Sequence, residues 1–342
     1  MAARRWLLVV GSGAAATLVG GSMLHDHVDR QDRLLPTATK RAFVINTNSS
    51  NSSNGSINKN GEDPMAAVAQ LLDTKGIAIV DNGIDHAVLT KCSDFLCGQA
   101  QAAGLPQQAS PPQPQHSHAA AAAGRKRQFV QSTQGRYHRT SFDAAAKEHI
   151  AAVRQFVDPV AKAFFGDSAW PNVVVSQCQF LASQPGSAAQ FYHQDNAQRG
   201  LTVLIPLTAV SLPMGPTQLL PGTHSLNPSS SLAAAASLLP RLARQEPCKA
   251  EAAFGQMLVY DSRTLHRGMA NLSQQARPVL VLRYDHKHTP PPGQSLPYTF
   301  AMRALGATLH TCSYLLGAGA GVAAGAAGAA TATPLVSDAR PS

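Results

Sequence analysis

AQFYHQDNAQRGLTVLIPL, residues 189–207, is the stretch on which the reading of this chain turns. A His-Gln-Asp triplet, His193-Gln194-Asp195, is followed across a polar turn ending in Gly200 by the apolar run Leu201–Leu207. A short apolar run bounded by Gly and Pro reads as a buried strand. Working outward, similar runs occupy Val173–Val175, Gln177–Ala182, Ala189–His193, Thr217–Leu220, Gln256–Tyr260 and Pro278–Tyr284. Upstream the period changes. Ile150, Val153, Phe156, Val157, Val160 and Phe164 recur at spacings of three and four and predict a helix over Ala144–Phe165. Met65–Asp73 reads as a short helix and Gly76–Val80 as an apolar strand. Helices first, then many short strands with turn signals, predict an α+β protein whose β part is a sandwich or barrel.

The chain has 342 residues, of which 44% are hydrophobic and 14% charged. That supports a folded core and excludes a wholly disordered chain. One stretch alone approaches the ~20 apolar residues that cross a bilayer, which excludes a multi-span membrane protein. The five cysteines, Cys92, Cys97, Cys178, Cys248 and Cys312, are too scattered for a disulfide framework or a zinc finger. Cys92 and Cys97 are the one pair near enough for a local bridge. The net charge is +9, with a basic cluster at Arg125, Lys126, Arg127, Arg136 and Arg139. A solvated basic loop explains it more simply than an anion site. No nucleic-acid motif accompanies it, so no nucleic-acid partner is expected.

Residues 1–24 read as an apolar signal or anchor segment, or as a transit peptide: Arg4 and Arg5 precede the nearly uncharged stretch 6–24. Endomembrane, secretory or membrane-anchored localisation is favoured, with membrane attachment through residues 6–24, and organelle import (chloroplast or mitochondrion) is the alternative. Residues 25–63 form a flexible Asn/Ser-rich linker with sequons at Asn48, Asn51 and Asn54. The core is expected over residues 64–312, with low-complexity insertions at about 99–124 and 228–239, and a Gly/Ala-rich disordered tail over 313–342.

On a strand, residues i and i+2 share a face, so His193 and Asp195 could approach one metal ion together. The triplet alone is weak: His27-Val28-Asp29 is a second copy, in the N-terminal tail. The rest of the set strengthens it. A second apolar strand, Gln256–Tyr260, leads to His266, 71 residues beyond Asp195. Two His and one carboxylate make the facial triad of non-haem Fe(II) oxygenases and leave positions open, as a closed zinc site does not. Arg277 follows eleven residues later and opens the run Pro278–Tyr284. A loop centred near Asn271 and Leu272 would form a hairpin with residues 266 and 277 facing each other roughly 5 Å apart. A guanidinium there suits the distal carboxylate of a dicarboxylate co-substrate such as 2-oxoglutarate. Arg283, six residues on, is the alternative anchor.

The stretch from Gln177 to Asp285 resembles the phytanoyl-CoA dioxygenase family of Fe(II)/2-oxoglutarate oxygenases. The resemblance lies in His193-Gln194-Asp195, in GPTQLLPGTHS at residues 215–225, in Leu265-His266-Arg267-Gly268, in Asn271 and in Arg277. Gly76–Asn82 is similar to that family's first strand, so the likeness covers most of residues 64–290. It implies a double-stranded β-helix (jelly-roll, cupin-like) core with flanking helices. It also implies that His193, Asp195 and His266 bind Fe(II), that Arg277 holds the C5 carboxylate of 2-oxoglutarate, and that Gln194 hydrogen-bonds behind them. The implied reaction uses O2 and 2-oxoglutarate to hydroxylate a small organic substrate, lipid or acyl compounds among the candidates, with release of succinate and CO2.

Elsewhere, His224 reads as a turn residue, and His116, His118, His286 and His288 as solvent-exposed. Tyr137, with Arg136 and Arg139, either lines the substrate pocket or lies on a plain surface strand. Asn271 fits an Asx-type turn, and its Leu272-Ser273 sequon would lie too close to the site for glycosylation. The competing functions are a jelly-roll binding module without activity and a cupin-type metalloenzyme that does not use 2-oxoglutarate. Oligomeric state leaves no mark on the sequence.

Overall fold

The computed structural model describes residues 43–46, 63–81, 83–105, 108, 129–226 and 246–289. The expectations for residues 1–24, the linker apart from 43–46 and 63, most of the two insertions and the tail lie outside these residues. No helix among the described residues is long and apolar enough to cross a membrane.

Three helices precede most of the β structure: α1 (Pro64–Lys75), α2 (His86–Ala102) and α3 (Ala144–Phe165). Each begins at an aspartate whose carboxylate accepts a first-turn N–H: Asp63 from Met65, Asp85 from Val88 and Asp143 from Ala146. Gly76 closes α1 at φ 72°, and its backbone runs against His224; an added Cβ would sit 2.4 Å from that ring. Helix α2 runs to Ala102, so the first insertion begins as helix, not as loop from residue 99.

The strands are β1 (Val44–Asn46), β2 (Ile77–Asp81), β3 (Val130–Thr133), β4 (Arg136–Arg139), β5 (Val173–Ser183), β6 (Gly200–Pro206), β7 (Thr217–Leu219), β8 (Cys248–Ala250), β9 (Met257–Asp261), β10 (His266–Gly268) and β11 (Arg277–His286). Eight form one sheet in the order β1-β2-β9-β6-β11-β5-β4-β3, and three form a second, β10-β7-β8. An isolated bridge between His193 and His266 adds the residue-193 segment to the small sheet. From β5 onward the chain passes large sheet, small sheet, large (β6), small (β7, β8), large (β9), small (β10), large (β11). That alternation is the double-stranded β-helix.

Side-chain parity divides each strand of the large sheet. Ala78, Val80, Val203, Ile205, Val259, Leu280 and Leu282 face the three helices in one core. Ile77, Ile79, Leu258 and Tyr260 face the small sheet, meeting Leu219 and Cys248. Both faces are covered, which is why β6, β9 and β11 read as near-continuous apolar runs. The free thiols of Cys92 and Cys97 form no bridge.

Three expectations are corrected. Ala189–His193 is no strand; it carries one bridge, at His193. Val173–Ser183 is a single strand, not two. Residues 266 and 277 do not face each other in a hairpin, because β10 pairs with β7 in the small sheet and β11 lies between β6 and β5 in the large one. The connection turns inward at buried Met269 and Ala270. Asn271 does form the Asx turn, accepting from Ser273 N at 3.0 Å, while its own amide donates to Ser183 O and Gln275 O.

Candidate metal centre

Main-chain pairing brings the triad together. His193 N donates to His266 O at 2.9 Å, and His266 N returns a bond to His193 O at 3.0 Å. Asp195 N donates to Ser262 O at 2.8 Å, so the bend after His193 is locked to the loop before β10. His193 and Asp195 thus converge through a clamped loop rather than through strand period. One ligand atom from each of His193, Asp195 and His266 lies within 4.8 Å of the others. Among the described residues it is the one group of three or more His, Cys, Asp or Glu that could hold a metal ion.

The surroundings set the chemistry of each ligand. His193 Nδ1 lies 2.9 Å from Phe191 O, and His266 Nδ1 lies 2.9 Å from Thr264 O. A carbonyl can only accept, so both rings carry hydrogen on Nδ1 and present the Nε2 lone pair. Burial lowers the His266 imidazole to about 4 against the opposing pull of Asp195, which keeps it neutral. Burial alone would raise the Asp195 carboxyl, but Arg283 first, then His266, His193 and the Thr202 hydroxyl, outweigh it and hold it well below the usual range. Thr202 Oγ1 and Tyr260 OH donate to Asp195 Oδ2 at 2.8 and 3.1 Å. Arg283 Nη2 lies 2.7 Å from Asp195 Oδ1. Burial, then the Asp195 charge, raise the Tyr260 phenol well above its ordinary value, so it stays a neutral donor.

The triad lines a cavity of about 650 Å³ shared with Arg277, Arg283, Gln194 and Tyr260. Arg277 is held at its tip: Nη2 donates to Ser183 Oγ at 3.1 Å and Nη1 to the Gly215 carbonyl. Gln194 donates to the Arg263 carbonyl and so braces the loop leading to His266. The lining continues along the same sheet through β5 and β4, with Gln177, Gln179 and Leu181 on β5, His138 on β4 and Thr140 just after it. His138, rather than Tyr137, faces the cavity; Tyr137 packs toward the helices.

The basic cluster is also not all solvated. Arg136 is fully buried and donates to Ala188 O, Ser183 Oγ and Met269 O, and Arg139 is buried against Ser141 O and Gln99. His224 is structural, with Nε2 3.0 Å from Asp73 O. The rings of His286, which ends β11, and of His288 just after it lie 5.2 Å apart and tilted, outside the cluster.

Thr202, Tyr260 and the Asp195 contact of Arg283 carry no motif of their own. A signal was nonetheless present: Thr202 and Arg283 are the polar residues at inward parity in the runs LTVLIPL and PVLVLRY.

Two imidazoles and an ionised carboxylate on one side of an open cavity fit a divalent iron with positions left for other ligands. The family model for phytanoyl-CoA dioxygenase (PhyH) matches residues 72–279. Similar solved structures include SnoN, a non-heme alpha ketoglutarate dependent epimerase from nogalamycin biosynthesis, at 15% identity over 65% of this chain and 82% of that one, TM-score 0.47. AviO1 from Streptomyces viridochromogenes is 19% identical over 66% of this chain and 97% of its own, TM-score 0.48. EvdO2 from Micromonospora carbonacea var. aurantiaca is 18% identical over 66% and 94%, TM-score 0.45.

Proposed function

The chain belongs to the phytanoyl-CoA dioxygenase (PhyH) family, and from that premise we propose that it is a hydroxylase: an Fe(II)- and 2-oxoglutarate-dependent dioxygenase acting on a C–H bond of a small organic substrate. The observation that carries this reading is the cluster of His193, Asp195 and His266 donor atoms within 4.8 Å of one another, in a cavity that Arg277 also lines.

His193 and His266 would bind iron through Nε2, and Asp195 through a carboxylate oxygen. When bound, the iron supplies O2 activation coupled to oxidative decarboxylation of 2-oxoglutarate to succinate and CO2. The protein does the rest. The carbonyls of Phe191 and Thr264 fix the ring tautomers. Thr202 and Tyr260 fix the rotation of the Asp195 carboxylate by donating to one of its oxygens. Arg277, buried and tied to Ser183 and Gly215, is oriented before any anion arrives, so little ordering cost remains at binding. Gln194 acts one step back, through the Arg263 carbonyl.

The test is an anaerobic titration of the full chain with Fe(II) and 2-oxoglutarate, followed by the visible metal-to-ligand charge-transfer band. The band is expected in wild type, absent in His193→Ala, and shifted to much higher 2-oxoglutarate concentration in Arg277→Gln. A folded, metal-loaded wild type without a band sinks the reading and favours a binding module or another metalloenzyme. Hydroxylation itself is read as an added oxygen mass on the substrate that stimulates succinate release.

A further inference from the structure

We propose that Arg283 is a second co-substrate-binding residue: Arg277 takes the distal carboxylate of 2-oxoglutarate and Arg283 the carboxylate that flanks its keto group. This rests on the oxygenase reading above. Residues 277, 279, 281 and 283 share the inward face of β11, while Leu280 and Leu282 face the helices. Arg277 and Arg283 therefore enter the same cavity from one strand. Their Cα atoms are about 20 Å apart along it. Two long side chains reaching toward each other across that span leave room between them for a short dicarboxylate, and too much for a joint grip on one carboxylate.

Arg283 is 8% exposed and has donors to spare. Nη2 is engaged with Asp195 Oδ1 at 2.7 Å, but Nε is buried with no acceptor among the described residues. The residue lines the cavity, and a planar anion with two oxygens suits a guanidinium's fork of donors. Charge points the same way. The acidic and basic side chains lining the cavity, histidines aside, are one carboxylate, Asp195, and two guanidiniums, Arg277 and Arg283. An Arg283 cation beside Asp195 opposes a divalent metal and favours an anion. Its removal must move the two affinities in opposite directions. A residue that merely braces Asp195 would, on removal, weaken the metal.

The experiment uses the full chain as wild type, Arg283→Gln, Arg283→Lys and Arg277→Gln. Mn(II) binding is measured by calorimetry without dicarboxylate. The affinities of Fe(II)-loaded protein for 2-oxoglutarate and for pyruvate, a keto acid lacking the distal carboxylate, are measured anaerobically from the charge-transfer band. Arg283→Gln is expected to bind Mn(II) more tightly and 2-oxoglutarate roughly tenfold or more weakly. Arg283→Lys should fall between it and wild type. Pyruvate binding should weaken in Arg283→Gln and hold in Arg277→Gln. Misfolding weakens both ligands together and cannot produce the opposite signs. The proposal is overturned if Arg283→Gln weakens Mn(II), leaves 2-oxoglutarate affinity unchanged, or spares pyruvate. A wild type that binds Mn(II) but no 2-oxoglutarate overturns the oxygenase reading instead.

Discussion

Asp195 shows how single side chains tune the centre. It has a guanidinium against Oδ1 and two hydroxyl groups, from Thr202 and Tyr260, against Oδ2. Thr202 contributes no charge, so its role separates from that of Arg283. Thr202→Val keeps the shape and removes one donor. Mn(II) affinity is expected to fall about tenfold, the usual cost of losing a group that orients a metal ligand, with the far-UV spectrum unchanged. Equal affinity in the variant would show that Tyr260 and Arg283 hold the carboxylate without Thr202. The site was legible in the sequence where chemistry and spacing coincide: His193, Asp195, His266 and Arg277 all line one cavity. Thr202 and Tyr260 escaped because an inward polar residue in an apolar strand looks like any other hydroxyl until its partner, across the sandwich, is known.

The elements that were legible are those whose burial leaves a period. Helix α3 carries Ile150, Val153, Val157, Val160 and Phe164 on its buried face, at the spacing its sequence displays. Helix α2 was missed because that face is Leu89, Cys92, Ser93, Leu96 and Ala100, in which small and sulfur side chains dilute the pattern. Strand β8 was missed because three residues are too few for a period, and it exists only through pairing with β7, well before it in sequence. The false hairpin had a related origin: a symmetric loop reads the same whether the chain stays in one sheet or crosses to the other. The layer between helices and sheet has its own test. Burial pushes the Cys92 thiol up to about 12, neighbouring Cys178 and Cys97 adding to it, and burial pushes Cys178 to about 11 against the pull of Arg154. A raised thiol pKa keeps the unreactive protonated form. Native protein at pH 8 should leave both residues unlabelled by iodoacetamide in a mass-resolved digest, with Cys178 gaining label only as the pH nears 11. Rapid labelling of both at pH 8 would mean that this layer opens.

At the scale of the molecule, we further propose delivery to the endomembrane system through residues 6–24, supported by the basic start and uncharged stretch of the sequence. Glycosidase treatment of protein made in its own cells should then lower the apparent mass, with the glycans on Asn48, Asn51 or Asn54. Asn271 should carry none, since its amide is fully buried and donates to Ser183 O and Gln275 O. An unshifted band that fractionates with chloroplasts or mitochondria would favour organelle import. The reciprocal main-chain bonds between His193 and His266 join segments 73 residues apart and set two of the proposed metal ligands side by side. Contacts of such separation close late, after the loop entropy between them has been overcome. A nascent chain halted short of residue 266 holds two of the three proposed ligands and no frame to aim them. Iron offered at that stage finds nothing to close upon, so its capture marks a finished fold rather than seeding one.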